Sequence, residues 1–238
     1  MTGGRSLRLA ALGVLLAAAC KTGHARPARE GGEPWESALA ATRAELLERC
    51  EHWGPIPAGG AQRREYLGEL ATSARKRLGA AAAPGVRFAA SELAAALPPP
   101  EPDAKVGPIS AGRFQYYDAD IARAGRRYRD ASPAIWLDVI DTDGAPDLIV
   151  PFEVKRVVAR RDPRGSYREI AVGGFPAVTT EDAADAAPGL AARSVEVLVG
   201  DRVLVAARGD RSSTLDQLTR LASSVSLAAL AAAPAASR

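Results

Sequence analysis

The chain has 238 residues, 47% hydrophobic and 25% charged, with a net charge of +3. This composition fits a globular protein and excludes collagen-like, low-complexity and disulfide-rich chains. The basic residues are 27 arginines and four lysines against 28 acidic residues, so the isoelectric point near 9.1 reflects arginine-rich coding rather than one clustered basic surface, and no nucleic-acid partner is expected.

Behind Arg5 and Arg8, Leu9 to Ala19 is an apolar run of 11 residues ending at Cys20. A transmembrane helix needs about 20 such residues, so this run is too short to span. The two arginines, the run and Ala17-Ala18-Ala19-Cys20 resemble the signal peptide and lipobox of bacterial lipoproteins. The resemblance implies that residues 1–19 are removed and that the Cys20 sulfur carries the lipid. It also implies at least two acyl chains, because one alone holds a protein only marginally. Ala17 stands where that family more often has leucine, and Ala17-x-Ala19 also suits an ordinary signal peptidase. Plain secretion is therefore the competing reading. Lys21 in place of aspartate points to the outer membrane, facing the periplasm, if the cell is Gram-negative. Residues 20–34 have glycine, proline and charge without apolar period, as in a flexible tether.

Trp35, Leu39, Leu46, Cys50 and Trp53 recur at helical spacing up to Gly54-Pro55. Tyr66, Leu70, Ala74 and Leu78 mark a second helix over 62–78, so residues 35–82 are expected as a helical hairpin. With Cys20 lipidated, Cys50 lacks an intrachain partner and reads as a buried inert thiol, with an intermolecular disulfide as the alternative.

Ser91–Leu97 is a short helix stopped by Pro98-Pro99-Pro100. Phe114–Arg129 has mixed periodicity and reads as a strand in its later half. Ala134–Thr142 is the clearest strand, with Ile135, Leu137 and Val139 on one face and Trp136, Asp138 and Ile140 on the other. A helix is expected over 146–159. A hairpin follows around Gly173-Gly174, and a second joins Val195, Val197 and Val199 to Val203, Val205 and Ala207 through Gly200-Asp201. Ser213–Leu221 reads as a closing helix capped by Ser212 or Ser213, and Leu227–Ala233 as an alanine-rich tail. Hairpins with helices before, between and after give an α+β class: an antiparallel sheet with packing helices over 83–232, preceded by the hairpin and followed by a tail at 233–238.

Leu97-Pro98, Ile140-Asp141-Thr142-Asp143-Gly144, Gly174-Phe175-Pro176-Ala177 and Gly200-Asp201-Arg202-Val203-Leu204-Val205 carry a second resemblance. Over about Val86 to Leu230 the chain resembles a family of bacterial envelope proteins of unknown function. Its layout also resembles the PsbP/Mog1-like α+β sandwich, which implies a fold and no activity.

Chemistry is sparse. Asp141, Asp143 and Asp147 are the residues a metal would use, but a calcium loop also needs ligands where Val139 and Val150 stand. The segment reads as an Asp-Gly turn, with no metal. Pro146-Asp147 and Glu153-Val154-Lys155 match a nuclease pattern at too short a spacing. His52 lies outside the expected core, so it suits no triad. Arg123, Arg126, Arg127 and Arg129 suit an anionic surface or a solvated strand. The expectation is a non-enzymatic, membrane-anchored envelope module that binds a protein or cell-wall partner and uses no cofactor. The alternatives are a hydrolase using Asp138, Asp141 or Glu153, and a carrier of a small apolar ligand.

Overall fold

The computed structural model describes residues 32–58, 60–81, 88–100, 105–116, 119–129, 134–142, 145–181 and 192–232. Cys20, the residues before it, Asp143-Gly144 and the tail at 233–238 lie outside them. The fold is α+β. Helices α1 (Trp35–His52) and α2 (Gly60–Leu78) form the hairpin, followed by α3 (Ala90–Ala96). Strands β1 (Lys105–Val106), β2 (Ser110–Tyr116), β3 (Ala119–Arg129) and β4 (Ala134–Asp141) come next. A 3-10 turn at Pro146–Ile149 leads into α4 (Val150–Arg161). Strands β5 (Tyr167–Val172), β6 (Phe175–Glu181), β7 (Arg193–Val199) and β8 (Val203–Gly209) precede α5 (Leu215–Ser223) and α6 (Leu227–Ala232).

The strands form one antiparallel sheet in the order β1-β3-β4-β8-β7-β6-β5, with β2 also paired to β3. β1 pairs at Val106–Tyr128 and β2 from Ser110–Gly125 onward, so together they make one interrupted edge. Both expected hairpins form. Gly173, Gly174, Gly200 and Asp201 all have positive φ, and Asp201 is the single non-glycine residue to do so among those described. Two successive positive-φ positions let a tight turn follow the right-handed twist of its strands.

One face of the sheet packs Ala124, Leu137, Val139, Val197 and Val205 under α3, α5 and α6. On the other, Val178, Leu198 and Leu204 pack under α4. The hairpin rides on α4, with Leu39, Leu46, Leu70 and Leu78 in the same cluster as Phe152 and Val157. The middle of the sheet is thus covered on both faces, and β7 and β8 are buried at nearly every position.

The later half of Phe114–Arg129 is strand, as expected, and its start adds the end of a second, because β2 and β3 form a hairpin. Two expectations are corrected. The α5 cap is Thr214: its Oγ1 accepts from Gln217 N at 3.1 Å, and Gln217 Oε1 accepts from Thr214 N at 2.9 Å. Ser213 is fully buried against Gly209 instead. Leu227–Ala232 is a helix, held by Leu227 and Leu230 in the core.

Candidate functional site

Antiparallel pairing lines up residues from distant parts of the chain. On the α4 side, one transverse row reads Gly125, Asp138, Ala206, Glu196, Val178, Glu169. The next row reads Arg127, Trp136, Arg208, Ser194, Thr180, Tyr167. The first row carries three carboxylates, each met by cations. Asp138 Oδ1 accepts from Arg123 Nη2 at 2.6 Å, and Oδ2 from Arg208 Nη1 at 3.0 Å. Glu196 takes Lys155 Nζ at 2.7 Å. Glu169 takes Arg156 Nη2 at 2.8 Å and Arg160 Nε at 2.5 Å. Burial alone would push the Glu196 carboxyl up, but Lys155 and Arg208 outweigh it and hold it low.

Glu169 is held down to about 2, first by its bond to Arg160 and then by Arg156, against the opposing effect of burial. A carboxylate with a depressed folded pKa stabilises the fold above its unfolded pKa, and the effect is lost on acidification. The Glu169 contribution is therefore full above about pH 4.5 and falls away toward pH 2. Glu169→Gln is expected to flatten this part of the acid-unfolding profile, measured by circular dichroism between pH 6 and 2.

The three carboxylates that a hydrolase would use are not brought together. Asp138 lies on β4 between two arginines. The Asp141 Oδ2 accepts from Phe88 N at 2.8 Å on the way into α3. Glu153 is on α4, bound to Arg43 and Arg156. The nuclease-like pattern is also dispersed, since Lys155 points to Glu196 while Asp147 sits in the 3-10 turn. Asp141 and Asp147 are described, and Asp143 is not. Among the described residues, no group of three or more His, Cys, Asp and Glu side chains is arranged to hold a metal. His52 is exposed, its Nδ1 2.9 Å from Glu48 O. Burial pushes the Cys50 thiol up, away from reactive thiolate. An apolar carrier needs an enclosed apolar cavity. Among the described residues, a shallow depression of about 450 Å³ over α5 is lined by Thr214, Asp216, Gln217, Thr219 and Arg220, a polar set.

What stands open is the β2–β3–β4 wing. Among the described residues, α4 packs mainly over β5 and β6, and this part of the face carries no helix. Among the described residues, four large apolar side chains are exposed; Phe114 and Trp136 lie on this face, and Ile109 lies in the loop before β2. Arg123 lies over the Phe114 ring at 5.7 Å, and Arg127 over Trp136 at 5.2 Å. The register divides the arginine run that the sequence groups together. Arg123 and Arg127 share the open face, whereas Arg126 turns to the other side, donates to Gly107 O and lies over Tyr128. Phe114 faces Ile121 and Trp136 faces Arg127, so the aromatics are six β3 residues apart, about 20 Å along the strand.

Gly125 makes the centre of this strip possible. A Cβ there would collide with Asp138 Oδ1 and come within 3.2 Å of Leu137 O. Gly125→Ala is expected to displace the Asp138 carboxylate and loosen both arginines, at a cost of about 2 kcal/mol. Thermal unfolding reads the cost, and the Arg123 and Arg208 Nε–H resonances read the displacement.

No family profile, curated protein or solved structure matches the chain. Among the described residues, no helix is long and apolar enough to cross a membrane.

Proposed function

We propose that the chain is a non-enzymatic envelope lipoprotein, anchored through Cys20 and acting as a binding or structural module. The observation that carries the binding role is the open wing, where Phe114 and Trp136 stay about 40% exposed beside Arg123 and Arg127. Exposed aromatic–guanidinium pairs on a rigid sheet supply contact area and charge with little ordering cost. The anchor rests on Arg5, Arg8, the apolar run and Ala17-Ala18-Ala19-Cys20. A catalytic reading has less support, because Asp138, Asp141 and Glu153 each hold separate partners.

Intact-mass and N-terminal peptide analysis of the protein from its own cell envelope tests the anchor. The expected product begins at Cys20 and carries at least two acyl chains. An unmodified Cys20, or a mature chain retaining residues before it, would overturn the reading. Lipidation at Cys20 together with outer-membrane fractionation is the expected pattern in a Gram-negative host.

A further inference from the structure

We propose that the open face of the β2–β3–β4 wing docks on an anionic phospholipid surface. Charge chooses the class of partner. Among the described side chains of this strip, Arg123 and Arg127 stand against one carboxylate, Asp138, which also takes Arg208 from β8. An anion is the complementary partner. A second copy of the chain, related by a two-fold axis, would set arginine against arginine, so self-association through this face is disfavoured.

Shape and position choose the lipid. The strip is a sheet face, with Trp136 toward one end and Phe114 at the other. Tryptophan and phenylalanine beside arginine suit the headgroup layer, where rings sit at the interface and guanidinium groups reach phosphate. The described chain also enters at the Phe114 end. Trp35 Nε1 donates to Asp201 O at 3.1 Å, anchoring the start of α1 to the β7–β8 turn. That turn adjoins the end of β4, where Thr142 N donates to Arg202 O at 3.2 Å. Ile121, opposite Phe114, is two residues beyond Arg123, which faces Ile140 near the end of β4. Trp35 is fifteen positions beyond Cys20, a length that spans at most about 50 Å. This last step rests on the lipid-anchor reading; the charge argument does not.

The test uses the full chain carrying Cys20→Ala, which cannot be lipidated, so failure of docking and failure of the anchor are read separately. Sedimentation compares vesicles of phosphatidylcholine alone with vesicles containing 30 mol% phosphatidylglycerol. Residues 1–19 are common to every variant, so any contribution from that apolar run cancels between them. Capture by the anionic vesicles is expected to exceed capture by the neutral ones about tenfold, and to collapse between 0.1 and 0.5 M salt. Arg127→Glu is expected to lower anionic capture at least about fivefold, and Trp136→Ala to lower it further. Both positions are exposed, and an unchanged melting temperature shows that the fold persists. Equal capture by the two vesicle types, or no loss on Arg127→Glu, overturns the proposal. So does preferential displacement from the vesicles by polyglutamate or oligothymidylate at equal charge, which would assign the face to an acidic protein or a nucleic acid.

Discussion

Replacing Phe152 by alanine is expected to lower stability by about 4 kcal/mol, near the middle of the range for buried phenylalanines. For a chain of this size that corresponds to a fall of about 10 °C in melting temperature. Phe152 is 1% exposed and sits on α4 in one cluster with Leu39, Leu46, Leu70 and Leu78 of the hairpin and Val178, Leu198 and Leu204 of the sheet. α4 is the layer between them, so the cavity would weaken the hairpin's attachment as well as the helix itself. Phe152→Leu keeps most of the volume and should cost about 1 kcal/mol. Urea unfolding followed by both near-UV and far-UV signals checks this. Coincident transitions with an unchanged slope mean that hairpin and sheet unfold together, whereas two transitions mean that the hairpin detaches first. A loss below about 1 kcal/mol would show that α4 does not bridge the two layers.

The local elements were largely legible in the sequence because their causes are local. Gly200-Asp201 and Gly173-Gly174 announce tight hairpins through the positive φ such turns require. The alternation in Ile135–Val139 places Leu137 inside and Trp136 outside, as found. β2 is not legible in the sequence because Gly112, Arg113 and Gln115 break the apolar alternation of an edge strand. α6 reads as a tail in the sequence because six alanine- and leucine-rich residues are too few to make a stable helix without the core they pack on.

The site was less legible. Asp138, Glu196 and Glu169 are up to 58 positions apart, and only the pairing register of five strands puts them in one row. Glu196 between Val195 and Val197 was the available signal, an inward charge that demands a partner. The open wing follows from dimensions. A helix about 10 Å across covers two strands spaced about 4.8 Å apart. α4 sits mainly on β5 and β6, reaching Leu198 and Leu204 of β7 and β8, so among the described residues the β2–β4 end carries no helix on this face.

Glu153→Ala is expected to cost about 3 kcal/mol. The side chain of Glu153 is 1% exposed, and its Oε1 accepts from Arg43 Nη2 at 2.7 Å and Nε at 3.1 Å. Its Oε2 takes Arg156 Nη1 at 3.2 Å. Removing one member of a buried ion pair leaves an uncompensated charge, which costs about 3–5 kcal/mol. The lower part of that range applies here, because Arg43 is 30% exposed and keeps Asp201 at 2.8 Å, while Arg156 keeps Glu169. Burial opposes charge on Arg43, yet the bonds to Glu153 and Asp201 hold its proton more tightly than in water. The same guanidinium ties α1 to α4 and to the β7–β8 turn, so the loss should loosen the start of the hairpin first. Glu153→Gln retains an acceptor for Arg43 and should cost about half as much. The double replacement Arg43→Met with Glu153→Met removes both charges, so it should be less damaging than Glu153→Ala alone despite altering two side chains. Chemical denaturation of the three variants checks the order. If the double variant is the least stable, direct packing by the two side chains, rather than charge pairing, holds α1 to α4.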